Sequence, residues 1–128
     1  MTKTETAKRL LRRVFVRDKN HEYSEINGKL DGKYKTWHDN GKLFMYCYYK
    51  DGELDGEYKN WYKNKQLCVH CYYKNDNLDG EYKRWHDNGK LFVHCYYKND
   101  NLDGELKRWD ENGKLLDRCY YKDGIKTK

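Results

Sequence analysis

Apolar and polar residues alternate along this chain in short runs that return every 24 residues. In the clearest copy, residues 81–86 mix aromatic side chains with charged ones, and residues 91–97 are an aromatic and aliphatic run whose alternate members would face opposite sides of a sheet. An alternation with a period of two is typical of a half-buried β-strand. The pair Asn88-Gly89 lies between the two runs, and Asn-Gly is the strongest short-range signal for a hairpin with a two-residue type I′ turn. The pattern therefore predicts one β-hairpin in each repeat.

The repetition itself is the second feature of the chain. A fixed period in this range predicts an array in which each small unit is stabilised by stacking on copies of itself. Three columns of residues keep the 24-residue step: Trp37, Trp61, Trp85 and Trp109; Gly32, Gly56, Gly80 and Gly104; and Cys47, Cys71, Cys95 and Cys119. Function is then expected on an extended surface rather than in a single cleft.

The turn sets the expected strand register. A two-residue turn places Trp85 opposite Phe92 and Tyr82 opposite Cys95, with tyrosine and tryptophan on opposite faces of the sheet. A bulge in the first strand would instead place both on the same face. The second repeat has Lys65 where the other hairpins have glycine. We therefore expect a strained or rebuilt turn there.

The residues before the array follow a different pattern. Thr2-Lys3-Thr4-Glu5 resembles a capping box, and apolar residues follow it at helical spacing, so residues 3–16 predict a short basic amphipathic helix. Such a helix would cover the first edge strand or bind a membrane or a partner. The alternative is a free strand or frayed tail.

Charge is distributed unevenly. The chain has a formal net charge of +6, and residues 1–20 contain seven Lys or Arg against two acidic residues. Residues 21–128 are nearly neutral. Any attraction to an anionic membrane is therefore assigned to the arm, with Lys8, Arg9, Arg12, Arg13 and Arg17 as candidate lipid-binding residues.

These patterns together predict an all-β fold, an elongated antiparallel meander of stacked β-hairpins with a short N-terminal helix or arm. Residues 1–20 form the basic arm. Residues 21–128 form the repeat domain, with a half repeat followed by four hairpins at approximately 32–55, 56–79, 80–103 and 104–124. No apolar run of membrane-spanning length and no secretory signal is recognised, and the cysteines are too far apart for disulfides. We expect a cytoplasmic, reducing compartment.

One phrase of the sequence resembles a known family. Leu-Asp-Gly-Glu-Tyr-Lys-x-Trp-x-x-Asn-Gly-Lys-Leu, complete at residues 78–91 and nearly so at 30–43, is similar to the MORN repeat in its 24-residue variant form. The resemblance covers residues 26–124 and extends to MORN-type proteins of large DNA viruses, for which host cytoplasm or the virion would be the location. It implies stacked hairpins and a non-catalytic module for protein association, dimer formation or phospholipid binding.

We predict a scaffold that associates with a protein partner or with itself, as a homo-oligomer, through an aromatic sheet face. The residues expected on that interaction surface are Trp37, Trp61, Trp85, Trp109, Tyr34, Tyr58, Tyr82, Phe44 and Phe92. The alternative is a peripheral membrane protein that binds acidic phospholipids through the basic arm. A fibre formed by end-to-end stacking is disfavoured, because the last repeat departs from the consensus.

Other kinds of site are not expected. Cys68 and Cys71 have half of a zinc-site spacing, but alternation directs them to opposite faces and no second pair exists. Asn75, Asn77 and Asp79 begin a calcium-loop pattern that lacks its closing glutamate. We therefore predict no metal, no cofactor and no catalytic residue. Nucleic acid is not an expected partner, because the array lacks a basic stripe.

Overall fold

The computed structural model describes residues 12–128, and in this part of the chain it has 15 strands in one antiparallel sheet and no helix. The all-β meander of hairpins is thereby confirmed. The strands are β1 (Arg13–Arg17), β2 (His21–Ile26), β3 (Lys29–Leu30), β4 (Gly32–Trp37), β5 (Leu43–Lys50), β6 (Glu53–Leu54), β7 (Gly56–Trp61), β8 (Leu67–Lys74), β9 (Asn77–Leu78), β10 (Gly80–Trp85), β11 (Leu91–Lys98), β12 (Asn101–Leu102), β13 (Gly104–Trp109), β14 (Leu115–Lys122) and β15 (Ile125–Lys126).

Each repeat contributes a six-residue strand, an eight-residue strand and a two-residue strand. The first two form the main hairpin, for example β10 with β11, and the short β12 folds back on the end of β11. Successive hairpins join through short ladders, such as His94 opposite Lys107. The sheet therefore grows by one hairpin per repeat along a direction perpendicular to the strands.

The predicted register is correct except at the hairpin tip. Tyr82 lies opposite Cys95, but Trp85 lies opposite Leu91, and the register shifts between Arg84 and Trp85. Phe92 is the extra residue, so the bulge lies in the second strand of the hairpin. The expected pairing of Trp85 with Phe92 was wrong.

The tip turn explains this shift. The amide of Gly89 donates to the carbonyl of His86, and the amide of His86 donates to the carbonyl of Lys90. Among the residues of this turn, only Gly89 has a positive φ, at 87°. This is a type I-like turn closed by a left-handed residue, which is longer than the two-residue type I′ turn. In the second repeat Lys65 occupies the left-handed position with a φ of 74°, so the expected strain is confirmed.

Type I′ geometry occurs instead at the opposite end of the hairpins. There both turn residues have positive φ, as at Asn27 and Gly28 and at Asp51 and Gly52. Asn75-Asp76 and Asn99-Asp100 adopt the same geometry without glycine. Asn27-Gly28 connects β2 to β3, and the other dipeptides connect an eight-residue strand to the two-residue strand that follows it.

The N-terminal helix is corrected in part. Residues 13–17 form strand β1, which pairs with β2 so that Phe15 lies opposite Ser24 and Val16 opposite Tyr23. The run Val14-Phe15-Val16 has the β-branched and aromatic character that favours strands, and pairing covers the edge of β2. The earlier part of the predicted helix, including Lys8 and Arg9, lies outside the described residues.

Candidate functional site: the two faces of the sheet

One face of the sheet, which we call the cysteine face, holds the most buried side chains. Cys47, Cys71 and Cys95 are 0–2% exposed, and Cys119 and Val69 are also buried. Burial raises the pKa of the Cys71 thiol to about 12 and that of the Cys47 and Cys95 thiols to about 11. This face is therefore the packed side of the repeat array.

The tyrosines predicted for the interaction surface belong to this face. Tyr34, Tyr58 and Tyr82 lie opposite cysteines and are half-buried. Each packs edge-on against a second tyrosine, with ring centroids 5.5–5.6 Å apart; the partners are Tyr49, Tyr73 and Tyr97. Their pKa values are raised mainly by burial. The contacts give these tyrosines a packing role.

The predicted tryptophans are half-buried, and the backbone carbonyls of three of them accept hydrogen bonds from the preceding repeat. The side chain after each of the first three tryptophans reaches the carbonyl oxygen of the next one. His38 Nε2 lies 2.9 Å from Trp61 O, and the Tyr62 hydroxyl lies 2.6 Å from Trp85 O. His86 Nε2 lies 2.9 Å from Trp109 O. These bonds fasten one hairpin tip to the next.

The predicted phenylalanines pack against the same histidines. The ring of Phe44 lies 4.6 Å from that of His38, and the ring of Phe92 lies 4.4 Å from that of His86. Phe44 remains 43% exposed. The tryptophans and phenylalanines therefore gather at the hairpin tips, whereas the predicted tyrosines lie along the strand centres.

The opposite face presents a column of exposed aromatic rings, which we call the tyrosine ladder. It consists of Tyr48, Tyr72 and Tyr96, which are 41%, 37% and 39% exposed. They occupy equivalent positions in β5, β8 and β11. Sequence reasoning did not include them among the interaction residues, although the repeated Tyr-Tyr dipeptide, with one tyrosine for each face, was a signal for them.

Charged clusters flank the ladder. His94 Nε2 lies 2.9 Å from Glu81, and Lys83 Nζ lies 3.7 Å from the other oxygen of the same carboxylate. The hydrogen bond from His94 is the main cause that lowers the pKa of Glu81. Glu57 has the same two partners in the preceding repeat, His70 at 2.9 Å and Lys59 at 3.7 Å. The histidine rings also lie 5.3 Å from Tyr72 and Tyr96, so these clusters hold the ladder in place.

In the last hairpin, charged side chains pair with one another. Glu105 accepts hydrogen bonds from the Tyr120 hydroxyl and from Arg118, and these contacts, the first above all, lower its pKa. Arg108 forms a bidentate pair with Asp117, where the preceding hairpin has Arg84 opposite Val93. Arg118 and Lys128 lie over the ring of Tyr120. The exposed ladder therefore ends at Tyr96.

The first repeat departs from this charge pattern in the opposite direction. Lys33 stands opposite Tyr48, at the position where the later repeats have glutamate, and Lys35 stands opposite Tyr46. Within residues 12–128 neither lysine forms an ion pair, in contrast to Lys59 and Lys83. Both lysines line an open cleft of about 430 Å³ together with Phe15, Glu22 and Tyr48. The two lysines outnumber Glu22, and Arg13 is paired with Asp31, so this end of the tyrosine ladder carries a net positive charge.

The candidate lipid-binding arginines occupy different environments. Arg13 donates to the Ser24 hydroxyl at 2.8 Å and to the Asp31 carboxylate at 3.0 Å, so its charge is already paired. Arg12 and Arg17 are exposed. Arg13 therefore holds β1 to the array, whereas the side chains of Arg12 and Arg17 remain exposed.

No group of three or more potential metal ligands occurs within residues 12–128. The described part of the chain also has no helix with the length and hydropathy needed to cross a membrane.

The chain was compared with curated proteins and with protein-family models. No curated protein matches it significantly. A family model described as the MORN repeat variant matches four segments, residues 30–51, 54–75, 78–99 and 102–123, which together cover more than half of the chain. Each segment spans one main hairpin and ends at the first residue of the type I′ turn that follows it. The chain therefore belongs to the MORN repeat variant family.

Proposed function

We propose that the protein is a non-catalytic repeat scaffold that associates with another protein, or with itself, through an aromatic face of its sheet. MORN repeats are commonly scaffolds for protein or membrane-lipid interactions. The observation that carries the proposal is the tyrosine ladder, because three large rings with a polar rim form the kind of surface that is enriched at protein interfaces. We assign the aromatic face to this ladder.

Self-association has a second source of support at the end of the sheet. Strand β14 pairs with β15 only at Tyr121 and Lys122, and Leu115 and Leu116 beside its open edge are 47% and 58% exposed. Open edges with exposed apolar side chains favour strand pairing between copies. The exposed aromatic side chains and this edge give the scaffold two separate surfaces for association.

Two measurements test the scaffold. Light scattering over a concentration series gives the mass of the full chain and of the double variant Tyr72→Ser/Tyr96→Ser. Affinity capture from a cell extract, with both proteins as bait, tests for a different partner. We expect the double variant to lose self-association or at least one captured protein. A monomer whose captured proteins are identical with and without the two tyrosines would refute the proposal.

The second candidate function is binding of acidic phospholipid, and the basic end of the array favours it. Arg12 and Arg17 are exposed, and Lys33 and Lys35 add charge that no described carboxylate pairs. Lys8, Arg9 and Arg13 complete the candidate set, with Arg13 acting through its structural pair. Co-sedimentation with phosphatidylcholine vesicles, with and without phosphatidylserine, tests it. Binding should require phosphatidylserine, weaken with added salt and be lost when residues 1–11 are deleted and Arg12 and Arg17 become glutamine.

We also infer a reducing, cytoplasmic setting, since the described cysteines are all free and four of them are buried. A large DNA virus remains our expectation for the source, with host cytoplasm or the virion as the location. Fractionation of producing cells, with the protein's cysteines alkylated at lysis, tests the compartment and the redox state together.

A further inference from the structure

The tyrosine ladder has a defined spacing. Tyr48, Tyr72 and Tyr96 lie on β5, β8 and β11, and a single strand, β7 or β10, separates each from the next in the sheet. Neighbouring strands are about 4.7–4.9 Å apart, so equivalent side chains two strands apart lie about 9.6 Å apart. The column runs across the strands, along the direction in which the array grows.

This spacing selects among the conformations of an extended ligand. A polyproline II helix has three residues per turn and rises about 3.1 Å per residue, so it presents the same side every 9.3 Å or so. Its mismatch with the ladder stays below about 1 Å over three rings. Side chains on one side of a β-strand return every 6.7 Å or so, and those of an α-helix about every 5.4 Å, so neither fits a single column of this spacing.

The rings are also held in place before any ligand binds. One side of Tyr72 and of Tyr96 packs against a histidine at 5.3 Å. On another side stands the glycine that begins the next repeat. A Cβ built on Gly80 would lie 3.7 Å from Tyr72, and one built on Gly104 would lie 3.6 Å from Tyr96. The missing side chains leave open notches beside the rings, and a rigid ligand loses little entropy on such a preformed surface.

Charge gives the ladder a direction. Beyond Tyr48, at the start of the array, the cleft contains Lys33 and Lys35, and no described carboxylate lies within 4 Å of either ammonium group. Glu22 stands opposite Lys35, and Arg13 and Asp31 pair with each other, so the cleft keeps one positive charge in excess. Along the rest of the ladder, Glu57, Glu81 and Glu105 occupy the position of Lys33. The first cleft therefore favours an acidic group, while the later positions do not.

We propose that the tyrosine ladder binds a proline-rich segment of a partner protein in the polyproline II conformation, with an acidic residue at the end that reaches Lys33 and Lys35. Three turns, about nine residues, span the three rings. Aromatic grooves bind such helices because prolines stack on the rings and the helix is already ordered. This inference rests on the proposed function, since it identifies the class of partner for the same face.

The test uses the full chain and three synthetic peptides: nine prolines preceded by two aspartates, nine prolines preceded by two lysines, and a glycine-serine peptide of equal length with the two aspartates. Titration calorimetry measures affinity, and amide chemical shifts locate the site. We expect the aspartate-proline peptide to bind most tightly and to shift residues of β5, β8 and β11. The double variant Tyr72→Ser/Tyr96→Ser should bind it at least about tenfold more weakly, as for loss of interface hot spots.

Matched variants separate the ring contacts from charge and folding. Tyr72→Phe/Tyr96→Phe keeps the rings and should bind within about threefold of the parent, a difference below about 1 kcal/mol. Ile125→Ser removes a side chain that is 71% exposed on β15, away from the ladder, and should leave peptide affinity unchanged. Lys33→Glu installs the residue of the later repeats, so the preference for the aspartate peptide over the lysine peptide should disappear or reverse.

The inference would be overturned if neither proline peptide bound. It would also be overturned if the glycine-serine peptide bound as tightly as the aspartate-proline peptide, or if the tyrosine-to-serine changes left the affinity unaffected. If a protein captured from extract still depended on Tyr72 and Tyr96 in that case, the scaffold function would stand and only the class of partner would be wrong. Loss of both results would reject the two proposals together.

Discussion

The Nε2 atom of His86 lies 2.9 Å from the carbonyl oxygen of Trp109, which belongs to the next repeat. Tyr62 makes the equivalent contact to Trp85 through its hydroxyl, at 2.6 Å. Two chemically different side chains thus supply the same donor at the same repeat position. The inter-repeat hydrogen bond, rather than any property specific to histidine, is what this position contributes.

The first prediction follows from that equivalence. His86→Phe keeps a ring against Phe92 but removes the donor, so the free energy of unfolding should fall by about 1 kcal/mol, the usual net contribution of one hydrogen bond. His86→Tyr supplies the donor found at Tyr62 and should retain most of the stability. Urea unfolding of the two variants checks this. Equal losses in both would show that the bond to Trp109 contributes nothing.

The second prediction concerns the left-handed turn residue of the second repeat. Lys65 has a φ of 74°, where the other tip turns have glycine. A non-glycine residue in this region costs the folded state about 1–2 kcal/mol. Glycine removes this strain but raises the entropy of the unfolded chain, so only part of that free energy is recovered. Lys65→Gly should therefore stabilise the protein by roughly 0.5–1 kcal/mol.

The reciprocal variant is Gly41→Lys in the first repeat. A Cβ at Gly41 would meet nothing within 4 Å, so only the backbone strain at its φ of 82° is added. We expect a loss of about 1 kcal/mol in thermal or urea unfolding. A stabilising Gly41→Lys change, or a destabilising Lys65→Gly change, would contradict the strain argument.

The fold follows from local pattern to a large extent. The 24-residue step and the alternation on either side of each tip give the hairpins, and the pairing of Tyr82 with Cys95 follows from them. The tip itself was misassigned, because Asn-Gly fits both a type I′ turn and a type I turn closed by glycine. Which of the two forms depends on the contacts of His86 with Lys90 and with Trp109, and the contact with Trp109 is not local in sequence.

The site was less accessible to sequence reasoning for a different reason. Both faces carry tyrosines with nearly the same sequence neighbours. Alternation therefore assigns the tyrosines to opposite faces without saying which face is covered by other side chains. Tyr82 is half-buried against Tyr97, whereas Tyr96 remains 39% exposed. The predicted helix was also wrong at residues 13–16, because its apolar spacing suits either a helix or a strand and the open edge of β2 favours the strand.

The third prediction tests aspartate in the type I′ turns. Asp100 has a φ of 68°, its amide donates to the carbonyl of Leu78, and its carboxylate accepts from the Leu78 amide at 2.6 Å. Asp100→Ala loses the carboxylate contact and keeps the strain, so it should cost about 1–2 kcal/mol. Asp100→Asn keeps an acceptor and tolerates this backbone, so it should be nearly neutral.

Hydrogen exchange gives this prediction a local measurement. The Leu78 amide should exchange faster in Asp100→Ala than in the parent, while amides of β4 and β5 should be unchanged. Gly52→Asp is the matched gain, because Gly52 already donates to Leu30 and its Cβ would make only ordinary contacts with Lys29. Unchanged exchange at Leu78 in Asp100→Ala would show that its carboxylate bond contributes no protection.

The fourth prediction concerns acid stability of the last hairpin. The hydrogen bonds from Arg108 lower the pKa of Asp117 below its ordinary value of 3.8. The folded protein therefore holds this carboxylate ionised where the unfolded chain already binds a proton. Its stabilising contribution is complete above about pH 4 and is lost as pH falls through the lowered folded-state pKa.

Carboxyl-detected NMR titration checks this directly. Arg108→Gln should move the Asp117 midpoint up and make unfolding less dependent on pH below 4. Arg84→Gln removes the equivalent arginine of the preceding hairpin, which faces Val93, and should leave the Asp117 midpoint unchanged. A midpoint for Asp117 at or above 3.8 in the parent would contradict the pairing.

The fifth prediction concerns the alkaline side and the cysteine face. Burial raises the pKa of Cys71 to about 12 from its ordinary 9.0, so the folded state keeps the thiol protonated where the unfolded chain ionises. Stability is therefore fully present below pH 9 and is lost as pH rises toward 12, with a slope of up to about 1.4 kcal/mol per pH unit for one thiol.

Cys71→Ala should lower stability at pH 7 but reduce this slope. Val69→Ala, a buried change on the same face without an ionisable group, should lower stability at pH 7 and keep the slope, and urea unfolding between pH 8 and pH 10.5 or so distinguishes the two. Equal slopes in the parent and in Cys71→Ala would mean that the Cys71 thiol ionises as readily in the folded sheet as in the unfolded chain.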